Sequence, residues 1–114
     1  MPRFTLAGKT YNNPIELALD KIGGRWKMPI LWRLSKKTPW RYGELKRNLE
    51  GISHKMLSQQ LKELERDGFV TRKMYPVVPP KVEYSLTKKG ERVMPVIGGL
   101  GKLGSFLRKE GDPS

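Results

Sequence analysis

The chain contains no cysteine and a single histidine among its 114 residues. Without thiols there is no disulfide staple, no thiolate metal site and no cysteine nucleophile. The one imidazole, His54, has no evident acidic orienter, which makes a triad a poor reading. A metal site would have to be built from carboxylates alone or with that one ring. No apolar run approaches the roughly 20 residues of a membrane-spanning helix. The opening MPRFTLAGKTYNN lacks the apolar stretch of a secretory signal, so the cytoplasm is the expected compartment. Neither a GxxxxGK nor a GxGxxG phosphate loop is expected, and Gly23-Gly24-Arg25-Trp26-Lys27 is too short a match to count. These absences argue against catalysis. No cofactor, metal or membrane partner is expected.

Negative charge is scarce too: 11 acidic residues stand against 23 basic ones, a net charge of +12. The excess is concentrated. Between Lys21 and Lys62 eleven basic residues face only Glu44 and Glu50, so this segment alone carries +9. A polyanion is the first partner such a segment suggests, because neutralised phosphates release condensed counterions. The plainer alternative is a basic surface that serves only solubility. The length fits one domain with a small core.

Residues 1–12 read as an arm or a short strand pair turning at Ala7-Gly8-Lys9. Asn12 or Asn13 caps a first helix with Pro14 at its first position, and Ile15, Ala18, Leu19 and Ile22 recur on it at helical spacing. Gly23-Gly24 ends it. A second helix spans Trp26–Leu34, with Pro29 in its first turn and a buried stripe of Ile30, Leu31 and Leu34. A third runs from about Arg41 to Leu49. A fourth begins at Ser53, an N-cap with Ile52 and Leu57 placed as a hydrophobic staple, and ends at Asp67-Gly68. Phe69–Tyr75 and Lys81–Leu86 form a hairpin with a Pro76-Val-Val-Pro-Pro80 tip. Thr87 caps a last helix carrying Val93, Ile97 and Leu100. Gly98, Gly99, Gly101 and Gly104 either stop that helix near Val96 or let two backbones approach closely, and the second is the preferred reading.

The fourth helix carries the most informative pattern. With Leu57 inward and 100° per residue, Leu61 and Leu64 fall on the same side. Lys55, Gln59, Lys62 and Arg66 fall opposite, and Ser58 sits on the flank. An amide can meet the major-groove edge of adenine, and a lysine can meet guanine or phosphate. The first half of such a helix enters a groove most deeply, which assigns base edges to His54, Lys55, Ser58 and Gln59. Lys62 and Arg66 then meet phosphates, joined by Arg41 and Lys46, with Lys36 and Lys37, at the turn and by Arg72 and Lys81 on the hairpin. Glu83 is a cross-strand partner for one of the hairpin cations. The plainer reading of any such face is solvated charge. What favours recognition is the hairpin that follows directly, since helix plus β-wing touches a duplex twice. Trp26, Trp32, Trp40 and Tyr42 are read as core aromatics, with base stacking on single strands as the lesser option.

These segments resemble the HxlR-type winged-helix regulators, relatives of the MarR group, over about residues 13–97. The carriers are Ile22-Gly-Gly-Arg-Trp-Lys27, Arg41-Tyr-Gly-Glu-Leu45 and Gly51-Ile-Ser-His-Lys-Met-Leu57. They continue with Leu61-Lys-Glu-Leu-Glu-Arg-Asp-Gly68, Thr71-Arg72 and Val78-Pro-Pro-Lys-Val-Glu-Tyr-Ser-Leu-Thr87. The resemblance implies a mainly α fold with a small β-hairpin wing, a winged helix-turn-helix dimerising through its terminal helices. It further implies double-stranded DNA and a second copy of the chain as partners, with repression at a pseudo-palindromic operator. A small-molecule effector is left open. The organisation is then a 1–12 arm, a 13–108 DNA-binding domain ending in a dimerisation helix, and a disordered 109–114 tail. Two positions depart from the family pattern. Asn13-Pro14 replaces a Cys-Pro pair, which excludes direct thiol sensing, and Leu103-Gly104 replaces Trp-Gly in the last helix. The alternatives are a winged helix that binds protein or RNA, and a non-specific architectural DNA coater.

Overall fold

The computed structural model describes residues 1–111. Strands β1 (Phe4–Leu6) and β2 (Lys9–Tyr11) form a hairpin that turns through Ala7 and Gly8, at φ 51° and 79°. Positive φ at both central residues matches the twist of the flanking strands. Helix α1 (Pro14–Ile22) begins where the Asn13 side chain accepts a hydrogen bond from the Glu16 backbone N–H at 3.0 Å. Helix α2 (Lys27–Lys36) holds Pro29 in its first turn, where a backbone N–H would have no helical partner. A two-residue strand, β3 (Trp40–Arg41), leads directly into α3 (Tyr42–Asn48). Gly51, at φ 89°, turns the chain toward α4 (His54–Arg66), whose cap Ser53 accepts from the Met56 N–H at 3.0 Å.

Strands β4 (Val70–Tyr75) and β5 (Lys81–Leu86) are the expected hairpin, and β3 extends it to an antiparallel sheet ordered β3-β5-β4. Trp40 pairs with Tyr84, Arg41 with Glu83 and Lys73 with Glu83. Helix α5 (Lys88–Glu91) is capped by Thr87, and α6 (Met94–Gly111) completes the described chain.

One core joins these pieces. Ile30, Leu31 and Leu34 of α2, Leu45 of α3, and Leu57, Leu61 and Leu64 of α4 are sealed from solvent, and Val70 and Tyr84 close the sheet side. Each such aliphatic side chain contributes about 1.5–3 kcal/mol by leaving water. The consequence for function is rotational. Burying Leu57, Leu61 and Leu64 fixes which face of α4 looks outward.

Several expectations need correction. The α1 stripe is largely uncovered, with Ile15 and Leu19 each 59% exposed and only Ile22 buried. Trp26, Trp40 and Tyr42 pack against the core, but Trp32 is 46% exposed. The last helix breaks at Arg92-Val93, before its glycines rather than after Val96, and then runs on to Gly111. Residues 109–111 of the expected tail are therefore helical, and 112–114 lie outside the described residues. Among the described residues no helix is long and apolar enough to cross a membrane.

Candidate nucleic-acid interface

The outward face of α4 is the one its inner leucines dictate. His54, Lys55, Gln59, Lys62 and Arg66 are exposed, and Ser58 is half-buried on the flank. Between α3, α4 and the hairpin lies an open groove of about 960 Å³. Arg41, Ser58, Lys62, Arg72 and Lys81 line it, so five residues chosen from sequence meet in one concavity. His54, Lys55 and Gln59 lie outside that lining, on the exposed first half of α4. Lys46 is half-buried on α3 and lines no part of the groove.

The charges are unequally available. Lys27 is only 5% exposed, and its ammonium lies 3.3 Å from Glu63 Oε1, so it fastens α2 to α4 instead of facing solvent. The Arg66 guanidinium donates to both carboxylate oxygens of Asp67, at 3.2 and 3.3 Å, and this pairing raises its pKa. Lys37 donates to Glu44 at 2.8 Å, and the Arg41 backbone N–H does so at the same distance, holding that carboxyl below its usual range. Glu83 faces Lys73 across the ladder, as the hairpin reading expects, but its ion pair, at 3.8 Å, is with Lys81 of its own strand. Lys81 and Lys73 also lie over the Tyr75 ring, at 4.3 and 4.9 Å. These contacts stiffen the cationic hairpin near its tip. Tyr84 is buried opposite Arg72. Burial pushes its phenol up in pKa, and the Arg72 guanidinium across the ladder partly offsets the shift.

Among the groove residues that sequence did not single out for DNA, two bear on a duplex. Arg47 is exposed and lines the groove. The angular test used on α4 finds it, since 100° steps put Arg47 opposite the buried Leu45 and Lys46 only to one side. Tyr42 packs against the core as read, and it also brings its hydroxyl to the start of α4. It lies 3.2 Å from the His54 carbonyl, 3.3 Å from His54 Nδ1 and 3.1 Å from Ser58 Oγ. No spacing rule reveals that arrangement, because the partners come from two helices. Gly99, Gly101 and Gly104 spell a G-x-G-x-x-G, but they sit inside α6. A dinucleotide site needs that motif at a strand-to-helix turn, so it carries no such meaning here.

Comparison with known proteins places this geometry. The family profile described as HxlR-like helix-turn-helix matches residues 21–111. The chain is 54% identical over 94 residues to a Fusobacterium mortiferum protein named as regulatory protein MalR, covering 82% of this chain and 89% of that one. It is 50% identical over 91 residues to the HTH-type transcriptional regulator YdzF of Bacillus subtilis, covering 80% and 84%. Among solved structures, the HTH-type regulator ytcD superposes with a TM-score of 0.79 at 41% identity, over 85% of this chain and 98% of that one. The redox regulator HypR in its reduced form gives 0.78 at 41% identity, over 84% and 94%.

Proposed function

The chain belongs to the HxlR-like helix-turn-helix family of transcriptional regulators, and from that premise we propose that it is a repressor binding a pseudo-palindromic operator as a homodimer. The observation that carries this reading is the α4 face. A stripe of Lys55, Gln59 and Lys62 stands exposed opposite a sealed leucine stripe, beside a groove that the cationic hairpin completes. In this reading His54, Lys55, Ser58 and Gln59 meet base edges, and Lys62, Arg41, Arg72 and Lys81 meet phosphates. Lys46 and Arg66 are outer phosphate contacts, Arg66 after exchanging Asp67 for the duplex.

Dimerisation is supported by α6. Val96, Leu100, Leu103 and Leu107 follow each other at spacings of four, three and four, the rhythm of a helix seam, and every one is exposed on the single chain. Two copies joined there would present two α4 helices to half-sites about one helical turn apart, roughly 34 Å. Occupying a promoter in that way blocks polymerase.

Selection of bound duplexes from a random pool tests the proposal. The expected product is an inverted repeat with that spacing. With about four phosphates neutralised per protomer, log K should fall against log[salt] with a slope near −7. A pool that enriches no site, or a slope near zero, would overturn the reading. Tight binding without a motif would identify an architectural coater instead.

A further inference from the structure

We propose that Tyr42 is a positioning residue that determines which hydrogen-bonding groups of Ser58 and His54 are turned toward a base pair. The inference rests on the DNA-reading role given to α4 above and assigns a base preference to part of it.

A phenolic hydroxyl has one proton to donate and two lone pairs to accept with. The Tyr42 oxygen has three neighbours within 3.3 Å: the His54 carbonyl oxygen, Ser58 Oγ and His54 Nδ1. The carbonyl can only accept, so the 3.2 Å contact requires the phenolic proton to point there. The other two partners must then donate. Ser58 spends its only proton on Tyr42, and the His54 ring donates through Nδ1–H. Outward, Ser58 keeps oxygen lone pairs, and a neutral His54 keeps Nε2 as an acceptor. Both present acceptors to the duplex. In the major groove, acceptors match the exocyclic amino groups of adenine and cytosine and oppose the oxygens of guanine and thymine.

The position of Tyr42 in the chain makes this constraint firm. Tyr42 directly follows β3, whose Arg41 is registered against Glu83 of β5 in the wing sheet. Its ring stacks on that of His54, with centroids 5.9 Å apart and planes 12° from parallel. The start of α4 is thereby tied to the same backbone as the wing.

The test compares wild type, Tyr42→Phe, Ser58→Ala and the double variant, each selected from a random duplex pool and then titrated on single-base operator variants. Wild type should prefer adenine or cytosine where Ser58 faces the duplex. Tyr42→Phe keeps the ring but frees the serine proton to reach guanine or thymine, so discrimination at that position should fall about three- to tenfold. The salt slope should stay unchanged, because no charge is removed. Ser58→Ala should lose the same preference, with Tyr42→Phe adding nothing further there. Retained discrimination in Tyr42→Phe overturns this inference alone. So does an equal weakening on all sequences, or a wild-type preference for guanine or thymine at the Ser58 position. A wild-type chain that enriches nothing overturns this inference together with the operator reading beneath it.

Discussion

Gln59 and Lys62 share the exposed face of α4 but offer a duplex different things. An amide pairs donor and acceptor with one base edge, whereas an ammonium is a point charge that any phosphate satisfies. Gln59→Ala should therefore cost about 1–3 kcal/mol on the preferred site and relax one base position. Lys62→Ala should weaken all sequences alike and reduce the salt slope by about one for each protomer's lost phosphate contact. Titrations of both variants on matched and mismatched duplexes check this, and superimposable profiles would remove the role assignment. At this scale, legibility depends on whether a side chain acts through its own helix. Lys55, Gln59 and Lys62 could be read from angular position because Leu57, Leu61 and Leu64 fix the rotation of α4. Lys27 could not, because counting charge does not reveal that its ammonium is buried against Glu63. Tyr42 looked like any aromatic at helical spacing, and its role exists only once α3 lies beside α4.

The N-terminal hairpin shows how an element is held by few contacts. Asp20 of α1 accepts from Lys9 Nζ at 2.8 Å and from the Tyr11 hydroxyl at 2.6 Å, fastening β2 to the helix. These hydrogen bonds lower the Asp20 pKa from about 3.8 to about 2. A carboxyl with a depressed folded-state pKa stabilises the fold above its unfolded pKa and loses that contribution as pH falls through the folded value. Asp20→Asn should thus lower the melting temperature at pH 7, and the gap to wild type should close between about pH 4 and 2. A gap that persists at pH 2 would show that the clasp acts through shape rather than charge. The same hairpin was legible from Ala7-Gly8 because turn chemistry is local. Strand β3 was not, since two residues carry no alternation and only pairing with β5 makes them a strand. The break before α6 was missed although Pro95 signals it, since a proline has no N–H to offer the Glu91 carbonyl and suits the first turn of a new helix. The glycines that drew attention instead lie inside a continuous helix.

At the scale of the molecule, the unusual fact is how much apolar surface one chain leaves uncovered. Helix α6 has no buried residue, and Leu100, Leu103, Phe106 and Leu107 join Ile15 and Leu19 of α1 in solvent. Only Met94 and Ile97 of α6 pack against the core. Contiguous apolar surface of this kind marks an association site in soluble proteins, and glycines that weaken a lone helix are less costly once a second helix covers it. The chain's resemblance to dimeric regulators prompted that expectation, but sequence periodicity alone could not divide α6 into a core side and a free side. Leu103, 51% exposed, provides the test, since replacing it removes little from the single chain's own core. Leu103→Lys should leave the melting curve of the protomer fold nearly intact. It should shift the sedimenting species from twice the 13.1 kDa chain mass to the chain mass itself. Operator affinity should then fall by about a hundredfold or more, because two linked half-sites become two independent encounters. Binding to a single half-site should be unchanged. Wild-type protein that sediments as a monomer at concentrations saturating its operator would separate DNA recognition from self-association, and α6 would need another occupant.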